Sequence, residues 1–256
     1  MTHANLVHQL ACRAGAVSLL GAAFVATAAV AGSGTHWGYH GAEGPEHWGE
    51  LDPAFVACGT GVNQSPIDIR DTVNAELAPI EIHYAVGGHD EINNGHTIQI
   101  DYEPGSDIVL DGHAFELKQF HFHTPSENHI DGHEFPLEAH LVHADADGNL
   151  AVIAVMFEAG KHNQALARAW QDMPTEPGTH HELLTRASAA ALLPADHAYY
   201  RFNGSLTTPP CSEGVVWLVM KQPVTASPAQ IQQFADVMGH PNNRPIQATH
   251  ARVVLQ

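Results

Sequence analysis

The sequence predicts one mainly β domain. Three observations carry that reading. The chain has 256 residues, a length that one large all-β domain can occupy alone. Hydrophobic residues make up 44% of it, enough for a substantial core. After residue 34, short apolar runs alternate with Gly, Pro, Asn and Asp turn signals, with few helical patterns and no internal repeat or low-complexity linker.

In chain order, His36 to Asn63 is rich in Gly, Pro and aromatic residues and reads as irregular chain packed on the body. Ile80 to Val86 is the first strand and stops at Gly87-Gly88. Thr97 to Tyr102 is the next and ends at Pro104-Gly105. Ile108-Val109-Leu110 meets the turn pair Asp111-Gly112, and Phe115 to His123 returns from it as a hairpin. A second hairpin places Glu138 to Ala144 and Leu150 to Glu158 on either side of Asp147-Gly148-Asn149. Tyr199 to Asn203 and Val215 to Lys221 supply late strands.

Two helices decorate this body. One runs from Asn163, a capping residue, to Met173 and stops at Pro174. The other opens at Ser227-Pro228, with Ser as N-cap and Pro at the first helical position. Ile231, Phe234 and Met238 share one of its faces, and Gly239 ends it.

Charge narrows the partners. Lys and Arg number 10 against 28 Asp and Glu, a formal charge of −18. Such a surface repels nucleic acid and anionic membrane, which argues against both. A homodimer is left open by the sequence.

The N-terminal segment reads as a signal peptide over residues 1–31, with the mature domain at 32–256. Arg13 closes a short n-region, Ala14 to Val30 is apolar, and Ala29-Val30-Ala31 is a small-x-small cleavage pattern. An uncleaved anchor is the alternative. Polar residues and no positive cluster follow the apolar run, which favours cleavage. The expected location is periplasmic or secreted, with no membrane attachment after cleavage. Cleavage leaves Cys58 and Cys211, and an exported protein with two cysteines is expected to pair them; two buried thiols are the alternative.

The chemistry concentrates between Lys118 and His143. In a strand, alternate side chains share a face, so His121 and His123 point one way and Phe120 and Phe122 the other. Glu138, His140 and Val142 share a face of the second strand. An isolated His-x-His among 21 histidines is weak and alone reads as a surface pair. Here bulky apolar residues occupy the opposite face, which marks a buried strand where unpartnered imidazoles are costly. Neighbouring strands would bring His121, His123 and His140 together beside a carboxylate. Three histidines suit zinc (Zn2+), and a catalytic zinc site keeps its fourth position for water. His143 points to the other face and is no ligand, and His129 and His133 read as solvent-exposed.

Gln119 to His123, Ser126-Glu127 and Glu138 to His143 resemble the alpha-class carbonic anhydrases. The resemblance extends to Trp37-Gly38-Tyr39, Gly44 to Trp48, Asn63 to Ile69, Asn93-Asn94-Gly95-His96, Gly204 to Pro210 and Asn242-Asn243-Arg244-Pro245, in that order along the chain. It implies a central, mostly antiparallel, ten-stranded twisted sheet with a few short peripheral helices. It implies reversible hydration of carbon dioxide to bicarbonate and a proton on zinc held by His121, His123 and His140. Weak esterase activity and binding of sulfonamide-type or anion inhibitors are expected with it.

The resemblance also assigns roles. Gln119 and Glu138 accept hydrogen bonds from the ligand rings. Thr207 is a gatekeeper paired with Glu127, and Thr208 meets the substrate. Val142, Val152, Leu206, Val215 and Trp217 form the apolar wall for carbon dioxide, although core is the commoner fate of such residues. Gln99 stands on the polar wall, where asparagine is more usual. His96 is the proton shuttle. A fold relative that has lost catalysis, or a zinc carrier, is the rival reading; the full set of three strand histidines with Thr207 and Glu127 disfavours both.

Overall fold

The computed structural model describes residues 34–85 and 87–256, together with Met1. The signal-peptide reading over 1–31 and the end of the first strand at Val86 lie outside the described residues.

The strands are β1 (Asp68–Ile69), β2 (Glu81–Tyr84), β3 (Gly88–Asn93), β4 (Ile98–Asp101), β5 (Ser106–Leu110), β6 (His113–His123) and β7 (His129–Ile130). They continue with β8 (His133–Glu134), β9 (Leu137–Ala144), β10 (Leu150–Ala159), β11 (Thr179–Ala187), β12 (Tyr199–Ser205), β13 (Glu213–Met220) and β14 (Val224–Ala226). The α-helices are α1 (Trp48–Leu51), α2 (Ala57–Thr60), α3 (Gln164–Ala169) and α4 (Pro228–Met238).

One large sheet dominates, in the order β11-β3-β4-β6-β9-β10-β13-β12, with β5 and β2 continuing beside β6 and β14 beside β10. It is antiparallel except where β10 meets β13 and β14. Among the described residues the sheet counts eleven strands against the ten that the resemblance implies, the three-residue β14 being among them. A separate small sheet joins β1, β7 and β8.

The central strands are buried on both faces, and β10 makes the division plain. Ala151, Ile153, Val155 and Phe157 belong to the main core with Phe120, Phe122 and Leu141. Val152, Ala154 and Met156 belong to a second apolar cluster with Val215, Trp217 and Val219. Alternation along the strand thus feeds two cores from one sequence run.

Local chemistry explains the ends. Asp111 and Gly112 take φ of 51° and 80°, the conformation that a two-residue hairpin turn needs. Ser227 and Gln230 form a reciprocal capping box on α4, and Gly239 closes it at φ 71°. The first helix differs from the sequence expectation, because α3 ends at Ala169 and not at Met173. Trp170 leaves helical geometry with its ring stacked on Phe234 at 5.4 Å and set edge-on to Phe122 at 4.9 Å. Packing there overrides helix continuation. Strands β3 and β11 carry polar sequences and no clear alternation, so they escaped the sequence reading. His129 is half-buried and not exposed, because β7 pairs with β1.

The opening read as irregular chain carries the short helices α1 and α2, and it packs on the body as expected. Tyr39, Trp48, Phe55 and Cys58 form a third cluster with Cys211, and Cys58 and Cys211 are disulfide-bonded across 153 positions. A loop of that size gives a chain-entropy stabilisation of about 5 kcal/mol as a ceiling. Cys58→Ser should therefore lower stability by roughly 2–5 kcal/mol in denaturant unfolding. Unchanged unfolding midpoints with and without reductant would show that the bridge contributes nothing.

Candidate metal centre

Three rows of side chains cross one face of the sheet. In the first, Gln119 on β6 stands opposite Val142 on β9, then Val152 on β10 and Trp217 on β13. In the second, Gln99 on β4 stands opposite His121, then His140, then Ala154. In the third, His123 stands opposite Glu138, then Met156. A register shift in β6 between Leu117 and Gln119 sets this phase.

The ligand-capable nitrogens of His121, His123 and His140 lie within 4.8 Å of one another. Each ring's other nitrogen is engaged. His121 Nδ1 is 2.8 Å from Gln119 Oε1, and His140 Nε2 is 2.8 Å from Glu138 Oε1. His123 Nδ1 is 2.8 Å from the carbonyl oxygen of Asn242. These acceptors fix the tautomers, leaving lone pairs on His121 Nε2, His123 Nε2 and His140 Nδ1. Burial, reinforced by the neighbouring imidazoles, holds His121 well below its ordinary range, and burial does the same for His140 and lowers His123. All three rings are therefore held neutral, the state a metal ligand needs.

Two buried acids stand beside them. Glu138 accepts from the backbone N–H of Glu127 at 2.7 Å and of Asn128 at 2.9 Å, and from the Asn128 amide at 2.8 Å. Glu127 accepts the Arg244 backbone N–H at 2.9 Å, and the Thr207 side chain favours its ionised form. Burial nevertheless pushes both carboxyls up, Glu127 well above the usual range.

The residues fit a metal. His123 Nε2 is buried without a hydrogen-bond partner among the described residues. An orphaned buried nitrogen is costly, and coordination would satisfy it. Three neutral imidazoles are the donor set that suits zinc, with a coordination position to spare.

The surroundings divide into two walls. Trp217 sets its edge on His140, ring centroids 4.9 Å apart. Val142, Val152, Leu206, Val215 and Trp217 all fall in the second apolar cluster, which adjoins the imidazoles on that side. On the other side a cavity of about 130 Å³ is lined by polar and aromatic groups, among them Gln99, Gln119, His96, Thr208, Trp37 and Tyr39. Gln99 donates to Asp101 Oδ1 at 2.6 Å. His96 lies flat on Trp37, centroids 3.7 Å apart and planes 8° apart. Burial, with His36 and His240 nearby, pushes its pKa down to about 4.

The loop carrying Thr207 and Thr208 is tied at several points. Leu206 N–H donates to Ser212 at 3.0 Å, and Cys211 N–H to Thr208 at 2.8 Å. Gln64 Nε2 donates to the Cys211 carbonyl at 3.0 Å. A Cβ on Gly204 would lie 2.0 Å from Ser65 Oγ, so this strand end admits glycine alone. Arg244 is fully buried, donating to Gln64, Ser65 and Cys58 at 2.9, 2.7 and 3.0 Å while its ring partner is Trp48.

The structure thus brings together His121, His123, His140, Gln119, Glu138, Glu127 and Thr207, and sets Gln99, His96 and Thr208 around the adjoining cavity. His143 stays apart as expected, on the other face between the Tyr84 hydroxyl at 2.7 Å and the Ala151 carbonyl at 3.2 Å. Two contributors escaped the sequence reading as individuals. The Asn242 carbonyl is backbone and carries no residue signal. Arg244 stood only inside a matched block, and its burial could not be read from its neighbours in sequence.

Fold and site together define a sheet-borne trihistidine centre, a class suited to one dication with room for a further ligand. The family model described as eukaryotic-type carbonic anhydrase matches residues 43–256. A carbonic anhydrase of Pectobacterium carotovorum is 51% identical over 231 residues, spanning 90% of this chain and 95% of that one. The alpha-carbonic anhydrase of Thermovibrio ammonificans, solved with the inhibitor sulfanilamide, superposes with a TM-score of 0.86 at 50% identity, covering 88% of this chain and 100% of that one. A hyperthermostable carbonic anhydrase from a hydrothermal vent chimney gives a TM-score of 0.84 at 52% identity over 86% of this chain and 99% of its own. The chain belongs to the eukaryotic-type, or alpha, carbonic anhydrase family.

Loss of a hydrogen-bond acceptor behind a ligand ring typically weakens metal binding by about 10- to 100-fold. Glu138→Ala should weaken zinc affinity by that factor in a chelator competition. Wild-type affinity would remove Glu138 from the site's support.

Proposed function

We propose that this protein hydrates carbon dioxide reversibly to bicarbonate and a proton, with one zinc ion held by His121, His123 and His140. The observation that carries the proposal is the convergence of three neutral imidazoles beside an apolar wall. When bound, zinc supplies a Lewis acid that brings the pKa of a water to about 7, the figure known for this enzyme class.

The chain's own residues do the rest. Gln119, the Asn242 carbonyl and Glu138 hold the three rings so that their free lone pairs face one point. The Thr207 hydroxyl donates to Glu127, so its oxygen is left to accept a hydrogen bond from the attacking oxygen and orient it. The backbone N–H of Thr207 and the side chain of Thr208 then face the substrate. Carbon dioxide is apolar, and Val142, Val152, Leu206, Val215 and Trp217 give it a dry surface beside the nucleophile. Gln99 and Gln119 place water on the polar wall.

Each turnover leaves a proton to remove. For a group of pKa about 7, diffusional capture by about 10⁻⁷ M hydroxide gives only roughly 10²–10³ s⁻¹. Rates near 10⁶ s⁻¹, known for this class, need a relay. His96 lines the cavity and is the relay of this proposal. Stacked on Trp37 it is a poor base, so transfer requires the ring to leave the stack, where its pKa returns toward the ordinary 6.5.

The disulfide supports an oxidising compartment, so we place the protein in the periplasm or outside the cell, with residues 1–31 as its leader. Among the described residues no helix is long and apolar enough to cross a membrane. Sulfonamides and anions should bind at the same point, and weak esterase activity should accompany hydration.

Stopped-flow hydration with zinc content measured in parallel tests the assignment. His140→Ala should lose both zinc and hydration, and Thr207→Ala should keep zinc while kcat/KM falls roughly a hundredfold. Near-wild-type hydration by zinc-stripped His140→Ala would sink the reading. The relay has its own signature. His96→Ala should lower kcat in dilute buffer, leave kcat/KM nearly intact and recover with added imidazole. Unaffected kcat in dilute buffer would assign proton transfer elsewhere.

A further inference from the structure

The edge of the sheet beside the His96 turn carries a buried acid that the hydration chemistry does not use. Glu91 lies on β3, just before Asn93-Asn94-Gly95-His96. It is 0% exposed, and neither of its carboxylate oxygens has a hydrogen-bond partner among the described residues. In register it stands between Ile100 on β4 and His181 on the edge strand β11. His89, two positions back on the same face of β3, has a buried Nδ1 that is likewise without a partner. From the segment after α3, the Asp172 carboxylate adds a like charge, and Asp172 also receives His181 Nδ1 at its carbonyl, 2.7 Å away.

We propose that Glu91 is a pH-sensitive latch on the β3–β11 edge: protonated, it lets the edge strand and the His96 turn pack; ionised, it loosens both. A dry carboxylate without donors is tolerated only as the neutral acid. Burial first, and Asp172 second, push its pKa up to about 8 from 4.5. The folded chain therefore keeps a proton that the unfolded chain releases between those values. The latch's contribution to stability is complete below about pH 4.5, declines as pH rises, and is lost above about pH 8.

The strain falls where the sheet is weakest. Among the described residues strand β11 has one neighbour, and it exposes most of its side chains and slips register between Glu182 and Ala187. The loosening reaches the His96 turn through Asn93. That residue donates to the Pro174 carbonyl at 3.0 Å and accepts from Gly178 N–H at 2.7 Å and Gly95 N–H at 3.0 Å. Given the hydration reading, on which this one clause rests, the latch closes where the proton product accumulates.

Unfolding of the full chain from pH 5 to 9, with amide hydrogen exchange, tests the latch independently of hydration. Relative to Glu91→Gln, the wild-type folding constant should fall by as much as about a thousandfold between pH 5 and 8. At pH 9, amides of residues 88–93 and 179–187 should exchange faster in the wild type than in the variant, after correction for intrinsic rates. Glu91→Leu should match Glu91→Gln, and it serves if the Gln variant folds poorly. Parallel pH curves for the wild type and either variant, equal protection at pH 9, or failure of both neutral variants to fold would overturn the proposal.

Discussion

The site depends on one register. Strand β6 lies against β9 so that His121 faces His140 and His123 faces Glu138. Side chains on a strand alternate with a period of two, so a slip of one residue would send the imidazoles into the Phe120 and Phe122 core and bring the phenyl rings to the site. Both outcomes bury the wrong groups: unpartnered nitrogens in an apolar core on one side, no donors on the other. The two cores therefore hold the register as firmly as the hydrogen-bond ladder does. The shift between Leu117 and Gln119 shows that the phase is set locally, just before the histidines begin.

The loops above the sheet are held by a second set of constraints. Arg244 spends its guanidinium on Gln64, Ser65 and Cys58 and its backbone N–H on Glu127. Burial lowers its pKa only to about 10, so it remains a cation at neutral pH. The disulfide anchors the same N-terminal segment to the end of the loop that carries Thr207 and Thr208. Asn242 adds a further tie, its carbonyl on His123 and its side-chain amide on the carbonyls of His96 and Phe122. Segments far apart in sequence thus converge on Glu127 and His123.

Legibility in the sequence followed the period of the strands. The histidines, their apolar reverse face and the acceptors Gln119 and Glu138 sit on strands with strong alternation, and their placement could be read residue by residue. The hairpin at Asp111-Gly112 and the capped helix at Ser227 carried explicit turn and cap chemistry. Strands β3 and β11 carried neither, since β11 is the edge strand, β3 lies next to it, and both sequences are polar. The backbone acceptor at Asn242, the buried hub at Arg244 and the stacking of His96 on Trp37 arise from tertiary approach across tens of residues. No local pattern encodes them.

The central claim is that two strands present three imidazole nitrogens to one metal ion and leave a position open. Zinc K-edge X-ray absorption on the zinc-loaded protein tests it most directly. The account predicts three nitrogen scatterers at about 2.0–2.1 Å and one further light scatterer completing a four-coordinate shell. Sulfur in the shell, fewer than three imidazole nitrogens, or a spectrum unchanged when His121 is replaced by alanine would contradict it.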